Sequence, residues 1–182
     1  MGSVESEVHR FDVVVAGGGP AGICAAVQAA RAGAATLLVE KTGLLGGAIT
    51  SGGVAFPGLF HAHGRQVIAG IGWDLVRRSV EEAGGALPDF AKSCGQRHWT
   101  HHVPVDAAIF AALADGMVTG SGAELLLHAM PFAARREEGG WALDLALKEG
   151  PRRLAARVLG DATGDADLAA LAGCRLERGE GL

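Results

Sequence analysis

The sequence predicts an α/β domain built on a parallel sheet, and three features predict it. Residues 11–16 (FDVVVA) form an apolar, β-branched run that empties directly into Gly17-x-Gly19-x-x-Gly22. An Ala-rich stretch from Ala21 to Ala32 follows, with Ile23, Val27 and Ala30 on one helical face and Gly33 as its stop. Thr36-Leu37-Leu38-Val39 is then a second short apolar strand, and it ends in Glu40. Strand, glycine turn, helix and strand within about 30 residues make a βαβ unit of the Rossmann type.

Each residue type in that unit has a physical reason to be there. Gly17 lets the chain turn sharply off the strand, and Gly19 lacks the Cβ that would hold the backbone away from a pyrophosphate. Gly22 lets the helix pack close to the sheet. The amides opening the helix face the phosphates, aided by the positive end of the helix dipole. Glu40 lies about 20 residues beyond the glycines, where a carboxylate accepts from the hydroxyls of an adenosine ribose. It would repel a 2′-phosphate, an effect that Lys41 next to it weakens.

Further along, KTGLLGGAITSGGVAFPGLF (residues 41–60) has little strand or helix character, and loops of this length in compact domains are usually functional. A helix is expected from Gln66 to Ala83, with Ile68, Ile71, Leu75 and Ser79 on a mixed face and Gly84-Gly85 closing it. Pro104 and Asp106 open the next helix, with Val105, Ile109 and Ala112 on one side. Glu124–His128 reads as a third core strand. Phe132–Arg136 and Trp141–Leu147, separated by EEGG, read as a hairpin. Arg153–Leu159 leads to a strand end at Asp161, and a last helix begins near Asp165, which suits an N-cap. Leu168 and Leu171 form its buried stripe. The order is β-α-β, a long insertion, a strand, a β-meander and β-α. The expected division is 1–54 and 119–182 for the nucleotide domain, with 55–118 as a helical insertion between them.

Composition narrows the function. Of 182 residues 49% are hydrophobic, enough for a core, and a net charge of −4 offers no basic face for nucleic acid or an anionic membrane. The 29 glycines far exceed the usual share of about 7%. They gather at 17–19, 43–47, 52–53, 84–85 and 139–140, as in turns and phosphate loops rather than repeats. Cys24, Cys94 and Cys174 lie far apart with no C-x-x-C, which points to reduced thiols in the cytoplasm, Cys24 being a small core residue. The leader MGSVESEVHR is polar, and no apolar stretch approaches the roughly 20 residues of a membrane span.

Three segments together, GGGPAG at 17–22, EKTGLLGGAITSGG at 40–53 and DATGDADLAALAG at 161–173, resemble the FAD-dependent oxidoreductase family of the glutathione-reductase-type flavoprotein class. The stretch SGGVAFPGLFHAHGRQVIAGIGWDLV shares that likeness, which covers almost all of the chain. The resemblance implies a Rossmann-type FAD-binding domain with a parallel sheet, a β-meander and a helical insertion. It also implies that Gly17, Gly19, Pro20, Ala21 and Gly22 face the FAD pyrophosphate, with Glu40 at the adenosine ribose and Lys41 beside the adenosine. Gly46, Gly47 and Ala48 would pass along the pyrophosphate and ribityl chain, and Thr50 and Ser51 would lie nearer the isoalloxazine. Ala162, Thr163 and Gly164 would let the chain cross beside the cofactor. Family members run on through a substrate domain, so the resemblance implies a C-terminally truncated chain. A partner segment from that region, or a second copy of the chain, is then expected to complete the site.

The remaining signals are weaker. Asp165 and Asp167 fit a helix cap and first turn, and as a carboxylate pair they would serve acid/base or metal chemistry. His61-x-His63 and His98-x-x-His101-His102 have the makings of a zinc site, but no cysteine or carboxylate joins them at familiar spacing. They read equally as exposed loop residues. In the family context His61 or His63 would be a proton donor or substrate anchor, and Arg65 an anion clamp or a solvated residue. Arg135, Arg136, Glu137 and Glu138 read as a solvated hairpin end, and Trp73, Trp99 and Trp141 as packing residues. The expected function is hydride transfer between a small molecule and flavin, with no catalytic residue assigned. The alternative is a nucleotide-binding fragment without turnover. A simple NAD-dependent domain is disfavoured by the meander and the 43–53 loop.

Overall fold

The structure is a computed structural model, and it describes residues 8–92, 95, 97–177 and 179, with residue 98 described for its backbone alone. Strand β1 (His9–Ala16) runs into helix α1 (Pro20–Arg31) and returns through β2 (Thr36–Val39). A small antiparallel hairpin, β3 (His61–Ala62) and β4 (Arg65–Gln66), precedes helices α2 (Ile71–Glu82) and α3 (Ala107–Gly120). Strands β5 (Glu124–Leu126), β6 (Met130–Glu137), β7 (Gly140–Leu147) and β8 (Gly150–Asp161) then lead to the short helix α4 (Asp167–Leu171).

Six strands form one sheet in the order β5-β2-β1-β8-β7-β6. The first four are mutually parallel, and β7 is antiparallel to both β6 and β8. Strand β8 joins the two halves: Leu154–Asp161 pair with β1, while Gly150–Ala156 pair with β7. The meander is therefore continuous with the parallel sheet through one long strand.

Both faces of the sheet are covered, which is why the central strands read as uninterrupted apolar runs. Val15, Leu38, Ile23, Val27, Leu75, Phe110 and Val118 pack on the face covered by α1, α2 and α3. Val14, Ala16, Leu37, Val39, Leu143, Leu145, Leu154 and Leu168 pack on the other. Neighbours such as Val14/Val15 and Leu37/Leu38 point to opposite layers, as the strand period requires.

Several boundaries differ from expectation. The helix expected from Gln66 begins at Ile71, because Gln66 pairs with His61 in the hairpin and Gly70 turns the chain at φ +85°. Ile68 consequently lies outside the helix and is exposed. In α3 the buried face is Phe110, Ala111, Ala114, Met117 and Val118, while Ile109 is half-buried and Ala112 exposed. That helix is apolar almost all round, so its periodicity does not choose a face. The third core strand stops at Leu126, and His128 is exposed at φ +53°. Asp106 does cap α3, accepting from the amides of Ala108 (2.9 Å) and Ile109 (3.0 Å). Helix α3 shares the core of α1 and β5, so the segment 55–118 contributes to the central packing. Among the described residues no helix is long and apolar enough to cross a membrane.

Candidate functional site

The site forms at the carboxyl ends of the parallel strands, where β1, β2 and β8 deliver three loops to one place. The Gly17 amide donates to Val39 O at 2.8 Å, and the Ala162 amide donates to Ala16 O at 2.8 Å. Gly17 sits at φ +102°, and a Cβ there would lie 2.3 Å from Ala162 O. A Cβ at Gly22 would lie 1.8 Å from Gly17 O, so both positions require glycine for close packing of backbone on backbone. At Gly19 the reverse holds. A Cβ there meets nothing within 4 Å, so the backbone opens into free space. Gly19 caps α1 without a side-chain bond and Pro20 follows at the first position. The amides of Ala21 and Gly22 therefore have no intrahelical acceptor.

The second glycine segment is tied directly to the first. The Gly46 amide donates to Gly18 O at 2.8 Å, and a Cβ on Gly47 would come within 3.0 Å of Gly19 Cα. Gly46 and Gly47 both have positive φ, and the chain then makes a short 3-10 turn, Gly47–Ile49. Ala48 and Ser51 are exposed beside it. The Thr50 hydroxyl, expected to face the flavin, donates to Leu45 O at 2.9 Å, so it braces the turn. Its lone pairs are left to accept.

Glu40 does more than its position beyond the glycines suggests. It is 7% exposed, and both of its carboxylate oxygens are engaged. Oε2 accepts from the Gly18 amide at 2.6 Å and Oε1 from the Thr42 amide at 2.7 Å. The acid therefore holds the glycine loop in place as well as facing the cleft. That cleft is lined by Gly17, Glu40, Lys41, Met130, Pro131 and Thr163, among others. The Met130–Pro131 wall was not anticipated from sequence. The signal available was topological: the connection from β5 to β6 must cross the same sheet end.

On the third loop, Gly164 (φ +89°) and Ala166 (φ +60°) turn the chain into α4. Asp165 does not cap this helix, contrary to expectation; the N-cap is Ala166, with no side-chain bond. The acid at work is Asp161. Oδ1 accepts from the Thr163 amide (2.9 Å) and hydroxyl (2.7 Å), and Oδ2 accepts from the Ala169 amide at 2.7 Å. Burial opposes its charge, but these donors and the Leu168 amide outweigh it and lower its pKa. Asp165 and Asp167 are exposed, and among the described residues no group of three or more His, Cys, Asp or Glu is arranged to hold a metal.

The histidines divide differently from their spacing in sequence. His61 is stacked on Phe90 at 3.7 Å between ring centres and meets Trp73 edge-on at 5.3 Å. His101, buried, meets the same Phe90 at 5.6 Å and contacts Lys92 O through Nε2 at 3.1 Å. Two histidines far apart in sequence, weighed together as a zinc site, thus meet in one aromatic cluster with α2. His61 Nδ1 is buried with no hydrogen-bond partner among the described residues, and burial, with His101 second, lowers its pKa. His63 is exposed at the hairpin tip at φ +51°, Arg65 is exposed on β4, and His102 stacks on Phe56. The side chain of His98, and Cys94, lie outside the described residues.

Comparison with known proteins fits this geometry. A family model described as FAD dependent oxidoreductase matches residues 12–181. The chain belongs to that family. Its cofactor is FAD, and the cradle suits one: glycine where backbone must touch backbone, open space over Gly19, and helix amides without acceptors. Among curated proteins, a dihydrolipoyl dehydrogenase of Trypanosoma brucei brucei is 49% identical over 55 residues, 30% of this chain and 12% of its own length. A thiamine thiazole synthase of Aeropyrum pernix is 52% identical over 44 residues, 24% of this chain and 16% of its own length. The chain thus spans a small part of these relatives. Among solved structures, glycine oxidase from Geobacillus kaustophilus superposes with TM-score 0.59 at 17% identity, covering 91% of this chain and 59% of that one. OxyS anhydrotetracycline hydroxylase from Streptomyces rimosus gives 0.56 at 21%, covering 84% and 31%. These structures share the fold.

Proposed function

We propose that this chain is the FAD-binding part of a flavoenzyme that passes a hydride between a small molecule and the flavin. One observation carries the reading. The Gly46–Gly47 turn is bonded to the Gly18–Gly19 loop, so the two motifs form one continuous cradle over a floor made by Ala162. The Ala21 and Gly22 amides would receive the pyrophosphate, aided by the dipole of α1. Glu40, already fixed by Gly18 and Thr42, would accept from ribose hydroxyls with its remaining lone pairs, and Lys41 would flank the adenosine. Gly46, Gly47 and Ala48 would follow the ribityl chain, with Ser51 and the acceptor face of Thr50 beyond them. Bound FAD supplies the hydride chemistry, and the protein supplies position and electrostatics. Cys24 and Cys174 are unpaired thiols, which supports a cytoplasmic location.

A nucleotide-binding role without turnover is the second reading, and the packing of His61 favours it. Of the two imidazoles expected to move a proton, His61 packs against Phe90 and Trp73 and His63 is exposed at the hairpin tip.

The visible absorption spectrum of the purified chain, titrated with FAD, tests the proposal. Flavin bands that co-elute with the protein support it, and their absence at saturating FAD overturns it. Bleaching of the bound flavin by a reduced substrate or nicotinamide then separates the first reading from the second.

A further inference from the structure

We propose that Asp161 is a positioning residue for the cofactor cradle, locking the Ala162–Gly164 crossing against the glycine loop. The proposal rests on the FAD reading above and assigns a role to a residue that the glycine motifs do not contain.

Three observations carry it. Asp161 is the last residue of β8 and stands in register with Ala16, the last residue before Gly17. Its carboxylate gathers donors from two directions: the amide and hydroxyl of Thr163 on Oδ1, and the Ala169 amide from within α4 on Oδ2. The Thr163 hydroxyl oxygen in turn accepts from the Asp167 amide at 3.0 Å. One carboxylate and one hydroxyl therefore tie the strand end, the crossing and the start of α4 into a single knot. The segment inside that knot is the one the glycine loop touches, since Ala162 O stands 2.3 Å from where a Gly17 Cβ would be. Ala162 Cβ stands 3.2 Å from where a Gly22 Cβ would be. A shift of the crossing by a few tenths of an ångström is therefore transmitted to Gly17 and Gly22. The knot also borders two hollows: Thr163, Asp167 and Leu168 line the cleft that Glu40 faces, and Asp161, Ala162 and Gly164 line a separate open depression beside Ala21.

Charge is part of the device. The Thr163 amide and hydroxyl and the Ala169 and Leu168 amides are all donors, so the position demands an acceptor on both oxygens. In Asp161→Asn the amide offers one oxygen, and its NH2 faces either Ala169 N–H or the Thr163 donors. One arm of the knot opens while size and shape are kept.

The test is FAD titration by flavin fluorescence on the full chain, comparing wild type, Asp161→Asn, Thr163→Val and Asp144→Asn. The last variant breaks an ion-pair cluster on β7 that does not touch the cradle. Asp161→Asn and Thr163→Val are each expected to weaken FAD binding by about tenfold, because apparent affinity falls with the fraction of chains that hold the cradle in its binding geometry. Asp144→Asn should lower the melting temperature while leaving FAD affinity unchanged in the folded protein. If Asp161 were only structural, its variant would behave like Asp144→Asn, and that result overturns the proposal. Amide resonances of Gly17 and Gly22 in the ligand-free chain give a second readout. They should move in Asp161→Asn and stay in place in Asp144→Asn, and unmoved glycine signals in Asp161→Asn overturn the proposal. A wild-type chain that takes up no FAD defeats the cofactor reading instead, and the resonances then decide the positioning claim alone.

Discussion

The amide of Gly18 donates to Glu40 Oε2 across 2.6 Å, so the residue we propose for the ribose also shapes the glycine loop. The second oxygen, Oε1, takes the Thr42 amide, and the side chain is buried. Replacing Glu40 by Gln leaves one oxygen for two donors and turns its NH2 toward one of them. Glu40→Gln should therefore cost about 1–3 kcal/mol of stability, the usual cost of a buried group left unsatisfied. FAD affinity should fall as well. Urea unfolding and flavin titration on the same variant check both, and an unchanged unfolding midpoint would show that the loop does not depend on the acid.

The three glycines of the motif should separate into two classes. Gly17→Ala and Gly22→Ala place a methyl on backbone atoms at 2.3 Å and 1.8 Å, and Gly17 also has positive φ. Each should destabilise the fold by about 3 kcal/mol or more. Gly19→Ala enters free space at an ordinary φ of −71°, so the fold should lose about 1 kcal/mol or less. Its methyl stands where the cofactor would approach, and FAD affinity should drop by about tenfold or more. Thermal melts and FAD titration of the three variants read the split directly. Equal stability loss in all three, with no specific loss of FAD affinity at Gly19, runs against the cradle as described.

On the meander, Asp144 on β7 is paired with Arg135 of β6 at 2.7 Å and with Arg153 of β8 at 2.6 Å. The Arg153 hydrogen bond leads in holding its carboxyl down, and its pKa falls from the ordinary 3.8 to about 2. A carboxyl depressed in the folded state stabilises fully above its unfolded pKa and loses that contribution as pH falls through the folded value. The window here runs from about pH 4 down to about pH 2. The shift is worth about 2 kcal/mol at full value, and about half of that once the half-exposed arginines are screened by water. Asp144→Asn should thus be less stable than wild type by about 1 kcal/mol near neutral pH. The difference should close in strong acid. Denaturant midpoints at a series of pH values test it, and a gap that persists at the acid end assigns the loss to packing.

What the sequence could and could not foretell follows from the range of the interactions. Thr36–Val39, Gly19 as the helix entrance and Asp106 as a cap were legible because their partners are within a few residues or follow a fixed period. Asp165 was misplaced as a cap for the same reason. An Asp just before an apolar stripe is the local signature, but Gly164 and Ala166 turn the chain so that Asp161 reaches the helix instead. Glu40 was legible as the acid that ends the second strand, yet its bond to Gly18 spans 22 positions and leaves no local trace. The Met130–Pro131 wall and the meeting of His61 with His101 are likewise products of topology. The face of α3 was unreadable because nearly every position in it is apolar.

His61 provides the sharpest test of what the insertion does. Its ring lies flat on Phe90 and edge-on to Trp73, with Nδ1 buried and unpartnered among the described residues. The groups around it include buried His101, the Lys92 carbonyl that His101 contacts, and the Lys92–Asp89 ion pair; among the described residues no carboxylate is paired with the imidazole. Burial first, and His101 second, lower its pKa below the ordinary 6.5. A histidine depressed in the folded state is neutral there without penalty at high pH. Stability is then lost as pH falls through the unfolded value of 6.5 toward the lower folded one. The wild-type insertion should therefore loosen on mild acidification, reported by the fluorescence of Trp73 against its ring. His61→Phe keeps the stack and removes both the titration and the orphaned nitrogen. It should hold or raise the melting temperature, flatten the acid-side change in fluorescence, and leave FAD binding as it was. If His61→Phe instead keeps FAD but abolishes reduction of the flavin by a substrate, the imidazole is a proton carrier after all, and the packing reading fails.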